Sequence, residues 1–236
     1  MAQAHWQPLM DYMSQEIGRT VEFKTVADYT AVIEALKYGH ADLARLGPSG
    51  YVLAEEEVDL VSIASIASDD GSLMTYQSYI VTRPGLTTLE GATFAYVDVG
   101  STSGYLLPAT YIKKEGIELG KTLYAGSHPA VMEAVKNGSV DAGATNDARW
   151  RAALDDGLIK PDELSIFWQS ELIARGAFVV RTDMPEDLRL AIQEALLSAP
   201  PEVVEQCNLD SSRFGAAPPD VYDPIREIQE YIGLTD

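Results

Sequence analysis

The chain has 236 residues, which is enough for one large or two smaller globular units. Hydrophobic residues make up 46% of it and charged residues 22%, a composition that excludes disorder, collagen and coiled coil. With 17 Lys and Arg against 36 Asp and Glu, the formal net charge is −19, which makes nucleic acid and anionic membranes unfavourable partners.

Strands and helices alternate along the chain. Up to residue 82, hydrophobic periodicity and turn residues predict, in chain order, a strand at 20–23, a helix at 29–38 capped by Asp28, a strand at 41–46, a turn at 47–49, a short helix at 51–56, a strand at 60–66 and an extended segment at 79–81. Beyond it they predict a strand at 92–99, a small-residue loop at 100–104, a helix to 115, a strand at 122–124, a helix at 130–136, strands at 140–144, 165–168 and 177–181, and helices at 186–198 and 222–232. This order predicts an α/β fold with mostly parallel sheets, whose ligand sites lie where strand carboxyl ends meet helix amino ends.

Two extended segments with similar endings flank the middle of the chain. One ends in Val-Thr-Arg-Pro and the other in Val-Arg-Thr-Asp-Met-Pro. We interpret the segments near 79–84 and 178–185 as paired hinge crossings. They would make 1–82 together with 183–236 one discontinuous lobe, and 83–182 an inserted lobe.

A loop of small residues follows the strand predicted at 92–99. It contains Ser101, Thr102, Ser103 and Gly104 just before a helix. Glycine lets the backbone approach a ligand, and hydroxyls together with the unpaired N–H groups of a first helical turn suit a tetrahedral oxyanion. An ordinary helix-capping loop explains the same pattern equally well.

A second helix start lies at Ser127, His128 and Pro129. Proline fits the first helical turn because its missing N–H has no partner there. His128 can donate to a ligand oxygen, although a surface or capping histidine also accounts for it. Two donor-rich helix starts in one lobe strengthen the hypothesis of an anion site.

The other lobe offers Gly47, Pro48 and Ser49 after a strand, Tyr29 at a helix start and Tyr76 before a hinge strand. We predict that these residues bind the ligand from the opposite side, with the tyrosines supplying hydroxyl donors on flat apolar rings. Core packing is the simpler explanation of each tyrosine taken alone.

An enzyme is disfavoured by the residues available for chemistry. The chain has three histidines and one cysteine, Cys207, and no pair of carboxylates at a diagnostic spacing, so we expect no cofactor, no metal and no intrachain disulfide. The segment Gly116–Thr122 imitates a nucleotide-binding loop but lacks its spacing and its strand-to-helix context. No stretch approaches the ~20 apolar residues of a membrane span, and the opening residues lack a signal-peptide pattern.

Seven motifs cover nearly the whole chain: Trp6–Leu9, Asp28-Tyr29, Ala41–Pro48, Tyr76–Tyr79, Ser101–Tyr105, Ser127-His128 with 134–138 and 140–142, and Tyr222–Arg226. Taken in order, they resemble the phosphonate- and phosphite-binding proteins of ABC importers, a branch of the two-lobed periplasmic solute-binding proteins of type II. The resemblance implies a monomeric, extracytoplasmic protein that captures a phosphorus oxyanion in an interlobe cleft and delivers it to an ABC permease. The alternative is an orphan or sensory receptor domain of the same fold that reports an oxyanion to a signalling partner.

The resemblance also implies the binding residues. Ser101, Thr102, Ser103 and His128 would hold the phosphorus head from one lobe, and Tyr29 and Tyr76 would reach it from the other. Compared with the family, the chain lacks a strand and a turn before Trp6, so contacts from that first turn are open.

Two charged residues stand where the resemblance leaves their roles undecided. Arg45 replaces an expected aromatic residue and either pairs with a surface acid or acts as a second anion clamp. Asp147 lies near the place of a carboxylate that recognises a ligand amine, with Ala148 as the alternative equivalent. Without that acid, the expected ligand is phosphite, methylphosphonate or another amine-free oxyanion.

Overall fold

The computed structural model describes residues 2–26 and 28–234. Its helices are α1 (Ala2–Ile17), α2 (Tyr29–Lys37), α3 (Pro48–Glu55), α4 (Leu107–Lys114), α5 (His128–Lys136), α6 (Asp147–Asp155), α7 (Glu186–Leu197), α8 (Pro201–Glu205) and α9 (Asp223–Ile232), with a π-helical turn at Thr102–Leu106 and a 3₁₀ turn at Pro219–Tyr222. Its strands are β1 (Leu43–Leu46), β2 (Leu60–Ala67), β3 (Thr75–Tyr76), β4 (Ser78–Thr82), β5 (Phe94–Tyr96), β6 (Thr122–Tyr124), β7 (Ala142–Asn146), β8 (Ser165–Gln169), β9 (Ile173–Ala174), β10 (Ala177–Arg181) and β11 (Arg213–Gly215). Among these residues, every helix is too short or too polar to cross a bilayer.

The chain divides into two compact units. The first contains Met1–Met74 and Ala174–Asp223, and the second contains Thr75–Ile173 and Pro224–Asp236. These boundaries fall several residues before the predicted crossings, because β4 is a strand of the second unit's sheet and β10 a strand of the first unit's sheet. The short strands β3 and β9 pair with each other.

The C-terminal helix also departs from the predicted division. Residues beyond Asp223 group with the second unit rather than with the first. There the Lys113 Nζ atom donates to the carbonyl oxygen of Tyr231 at 2.9 Å, and it lies 5.0 Å from the centre of the tyrosine ring. Helix α9 therefore contacts α4, which is a helix of the second unit.

The sheet of the first unit has the order β1-β10-β2-β11, and all three of its pairings are antiparallel. Strands β1 and β2 run parallel to each other, as expected of an α/β unit, but β10 lies between them and runs the opposite way. Its core is formed by apolar side chains of α1, α7, α8 and the sheet: Leu9, Met13, Ile63, Ile66, Phe178, Val180, Ile192, Leu196, Val204 and Phe214.

The beginning of the chain differs from the prediction. Helix α1 is absent from the predicted elements, and Thr20–Phe23 is irregular rather than a strand. The N–H of Val21 donates to the Ser14 hydroxyl at 2.8 Å instead of to a neighbouring strand, while Phe23 stacks on Trp6 at 6.2 Å. The apolar pattern thus reports packing against the core and not pairing in a sheet. The predicted cap of the next helix is confirmed, since Asp28 accepts from the N–H of Ala31.

The sheet of the second unit has the order β6-β5-β7-β4-β8. Strands β5, β6 and β7 pair in parallel, whereas β4 pairs antiparallel with both β7 and β8. The α/β class is therefore as predicted, but the expectation of mostly parallel sheets was wrong. In each unit, a strand next to the crossing enters the sheet against the direction of its neighbours.

Candidate functional site

The predicted oxyanion loop lies in the second unit, after the parallel strand β5. Ser101, Thr102 and Ser103 are each no more than 3% exposed. The Ser101 hydroxyl caps the following turn by accepting from the N–H of Gly104 at 3.0 Å. This turn is π-helical because the N–H of Leu107 bonds to the carbonyl of Thr102, five residues back.

Pro108 and Gly104 explain the unusual turn. Pro108 has no N–H to donate to the carbonyl of Gly104, and that carbonyl accepts from the N–H of Val97 at 2.9 Å instead. A Cβ atom on Gly104 would lie 2.5 Å from the Val97 Cβ atom and 2.7 Å from the Ser101 Oγ atom. Only glycine fits here, so the loop is drawn tightly onto the end of β5.

Asn146, which is not among the site residues predicted from the sequence, connects this loop to two further helix starts. Its Oδ1 atom caps α6 by accepting from the N–H of Arg149 at 2.8 Å. Its Nδ2 atom lies 3.2 Å from the Ser103 Oγ atom and 3.4 Å from the His128 Nε2 atom. Asn146 directly follows a strand and precedes a helix, which is a capping position that asparagine favours, and this signal could have identified it.

The hydrogen bond from the N–H of Arg149 determines which group donates and which accepts in the other two hydrogen bonds of Asn146. A backbone N–H can only donate, so the Asn146 oxygen faces Arg149 and its amide NH₂ faces Ser103 and His128. Ser103 and the His128 Nε2 atom therefore accept, which leaves the serine O–H and the His128 Nδ1–H as donors. The Ser103 carbonyl is already bound by the Ser78 hydroxyl at 2.8 Å.

His128 stands at the start of α5, after Ser127, whose hydroxyl caps the helix through the N–H of Ala130. The His128 Nδ1 atom is buried and has no hydrogen-bond partner in the described residues. Burial lowers the pKa of His128 to about 4, with a smaller contribution from the charge of Arg149. The ring is therefore neutral at pH 7 and retains one donor without an acceptor.

Three helices thus begin at the carboxyl ends of the parallel strands β5, β6 and β7. The first N–H groups of a helix have no acceptor among its own carbonyls, and together with the helix dipole they favour an anion. At the start of α6 they are already bonded to Gln77, Asp147 and Asn146, so this helix contributes its dipole rather than free N–H groups. Asn146 brings the three starts together at one end of the sheet. The predicted residues Ser101, Thr102, Ser103 and His128 belong to this group.

Asp147 lies at the same edge, but its carboxylate contacts its own neighbourhood. The Oδ1 atom accepts from the N–H of Ala148 at 2.8 Å and from that of Gln77 at 3.4 Å. The Oδ2 atom lies 3.7 Å from the Arg151 guanidinium. Its role as a partner of a ligand amine stays a prediction.

The predicted tyrosines have different positions. Tyr76 is buried in β3 and groups with the second unit, not with the other lobe as expected. Tyr29 begins α2 in the first unit, but its side chain lies outside the part of the chain that the structure describes.

The remaining predicted residues lie in the first unit. Gly47, Pro48 and Ser49 form the start of α3 rather than a separate turn, with Pro48 in the first helical turn and Ser49 fully buried. Arg45 is exposed on β1, and its charge counteracts the raised pKa of Tyr222 and of Cys207, both in the same unit. The binding roles of all four residues stay predictions.

The comparisons with known proteins identify the family. The family described as "ABC transporter, phosphonate, periplasmic substrate-binding protein" matches residues 2–222. This chain belongs to that family. The expected family is thereby confirmed.

Members of the phosphonate-binding family with curated names are moderately similar to the chain. The phosphate-import protein PhnD of Mycolicibacterium smegmatis is 32% identical over 193 residues, which cover 74% of this chain and 60% of that protein. The phosphonates-binding periplasmic protein of Escherichia coli is 26% identical over 225 residues, covering 90% of this chain and 66% of the relative. The chain thus spans about two thirds or less of the lengths of these relatives.

Solved structures of binding proteins share the fold. PhnD1 from Prochlorococcus marinus, in complex with methylphosphonate, has a TM-score of 0.85 at 21% identity, covering 98% of this chain and 93% of that one. A binding protein component of an ABC phosphonate transporter from Pseudomonas aeruginosa has a TM-score of 0.83 at 23% identity, covering 97% and 81%. At these identities the likeness shows the periplasmic-binding-protein fold alone.

Proposed function

We propose that this chain is the solute-binding component of an ABC importer and captures a phosphonate, phosphite, phosphate or similar phosphorus oxyanion without catalysis. Its partner is the importer's permease, and it works outside the cytoplasmic membrane, which agrees with the periplasmic description of its family. The named relatives carry phosphate, phosphonates or phosphite in their own names. All of these are tetrahedral phosphorus oxyanions.

The observation that carries this proposal is the position of Asn146. Its amide NH₂ donates to the Ser103 Oγ atom and to the His128 Nε2 atom, so the Ser103 O–H and the buried His128 Nδ1–H remain as donors for a ligand. The ionised oxygens of a phosphorus oxyanion are hydrogen-bond acceptors and therefore match these two donors. Hydrogen bonds to a charged group contribute about 1.5–3 kcal/mol each, so four or five of them reach the ~8 kcal/mol of a micromolar complex.

A panel of anions tests the ligand class. Phosphite, phosphate, methylphosphonate, aminoethylphosphonate, sulfate and arsenite are added separately, and the melting temperature is measured because a ligand that binds only the folded state raises it. We expect a concentration-dependent rise with at least one phosphorus oxyanion and none with arsenite. A protein that responds to none of the phosphorus oxyanions would contradict the proposal.

Hydroxyl deletions test the location of the site. We expect Thr102→Val and Ser103→Ala to weaken binding of the best ligand of the panel by about 10- to 100-fold, because each removes a buried donor to a charged group. Thr110→Val on α4 is the matched control, since its buried hydroxyl bonds to the carbonyl of Leu106 at 2.7 Å. Calorimetry should show near-parental affinity for the control. Equal losses in all three variants would mean that the loop is only a structural element.

A further inference from the structure

Arg149 is a cation at the candidate site that no carboxylate of the described chain neutralises. It occupies the first turn of α6, and its side chain is exposed. The ion pairs of the described residues engage Arg83, Arg151 and Arg181 with aspartates but do not include Arg149. The chain has 36 acidic residues and 17 basic ones. An arginine without a carboxylate partner beside a group of donors therefore indicates an anion-binding position.

The position of Arg149 joins it to the anion-binding group. Its N–H bonds to the Asn146 oxygen, and the amide of the same asparagine reaches Ser103 and His128. The charge of Arg149 is one cause of the lowered pKa of His128, so its field extends to the ring. A cation in the first turn of a helix also opposes the helix dipole, and a bound anion would relieve that repulsion.

The neighbouring acid does not cancel this charge. Asp147 bonds to the N–H groups of Gln77 and Ala148 and is paired with Arg151 rather than with Arg149. The first turn of α6 therefore presents a net positive side chain next to Asn146. A ligand ammonium group placed there would be repelled, whereas a second negative group would be attracted.

We infer that Arg149 is a specificity-determining residue that selects phosphorus oxyanions carrying a second anionic group, such as a carboxylate, over those carrying an ammonium group. This inference rests on the proposed function and names its substrate class. The phosphorus head binds the donors of Ser103 and His128, and the carboxylate beyond it pairs with the guanidinium, whose planar fork suits that partner.

The test measures the affinities of three phosphonates that differ in the group beyond the head. Phosphonoacetate, methylphosphonate and aminoethylphosphonate are titrated calorimetrically into the parent, Arg149→Gln, Arg149→Glu and the control Arg151→Gln. Arg151 lies on the same helix, is 61% exposed and pairs with Asp147. We expect the parent to prefer phosphonoacetate over methylphosphonate by about tenfold, the worth of one charge-assisted contact, and to bind aminoethylphosphonate most weakly.

The variants separate the inference from the proposed function. Arg149→Gln should remove the preference for phosphonoacetate, Arg149→Glu should favour aminoethylphosphonate, and Arg151→Gln should keep the parental order. If the parent binds methylphosphonate but the ratio of the three affinities is the same in Arg149→Gln, the inference is wrong and the proposed function stands. If the parent binds no phosphorus oxyanion, both are wrong.

Discussion

At the scale of single residues, His128 leaves one hydrogen-bond donor of the site available to a ligand. The Asn146 amide occupies the Nε2 atom, and the buried Nδ1–H has no acceptor among the described residues. A buried donor without a partner costs free energy in the ligand-free protein. Neutrality avoids the larger cost of a buried imidazolium, which is why the pKa of His128 falls to about 4.

This low pKa predicts how the stability of the ligand-free protein depends on pH. The pKa of His128 is about 4 in the folded protein and 6.5 when unperturbed, so between these values the unfolded state binds more protons. The free energy of unfolding should therefore fall as the pH is lowered from about 6.5 to about 4, by at most about 3 kcal/mol and less for a ring that keeps some exposure.

Urea denaturation at pH 7, 5.5 and 4.5 measures this effect against a variant. Other acids titrate in the same range, so the informative quantity is the difference between the parent and His128→Gln. The parent should lose more stability on acidification than the variant does. His40→Gln, at an exposed histidine, should follow the parent. If the free energy of unfolding falls equally with pH in the parent and in His128→Gln, burial does not lower the pKa of His128.

At the scale of elements, the turn from β5 into α4 depends on one glycine. Ala at position 104 would press against Val97 and Ser101 at 2.5–2.7 Å, and overpacking of this kind costs about 1–3 kcal/mol. We expect Gly104→Ala to lower the free energy of unfolding and to weaken oxyanion binding more than tenfold. The methyl group would displace the Ser101 cap and with it the donors of the turn.

A second glycine provides the control for general destabilisation. Gly116 follows the end of α4 with φ of +66°, and a Cβ atom added there would have no neighbouring atom within 4 Å. Gly116→Ala should cost roughly 1–2 kcal/mol through backbone strain alone and should leave the affinity unchanged. Denaturation and calorimetry on both variants separate the two effects. An unchanged affinity in Gly104→Ala would exclude the turn from the binding site.

Several local elements were predictable because their signals are local. The Asp28 cap and the loop of hydroxyls before α4 follow from residue chemistry within a few positions. Thr20–Phe23 was mistaken for a strand because an apolar pattern reports burial but does not name the partner of each N–H. Helix α6 was missed although its Asn146 cap carries a clear signal, and with it the residue that links Ser103 to His128.

At the scale of the whole molecule, strand direction was the property that sequence could not supply. Strands β4 and β10 are each a short run of largely buried residues, a pattern that is equally compatible with parallel and antiparallel pairing. Both follow a crossing between the units, and both enter their sheets against the neighbouring strands. The same two strands explain why the predicted crossings lie several residues after the boundaries between the two units.

The division into two units leads to the last prediction. If residues of the first unit also bind the ligand, as the resemblance implies for Tyr29 and the sequence predicts for Ser49, a saturating ligand must hold both units in one defined arrangement. A rigid-body closure of this kind compacts a two-unit protein. We expect small-angle scattering to give a smaller radius of gyration with the best oxyanion of the panel than without it.

The control for this scattering experiment is the double variant Thr102→Val/Ser103→Ala, which should be largely ligand-free at an oxyanion concentration that just saturates the parent. Its radius of gyration should be the same with and without the oxyanion, which excludes a general effect of added salt on a chain with a net charge of −19. Calorimetry on the same samples confirms that the parent is saturated. A saturated parent with an unchanged radius would restrict the site to the second unit, where Ser101–Ser103, His128 and Asn146 would have to bind the anion alone.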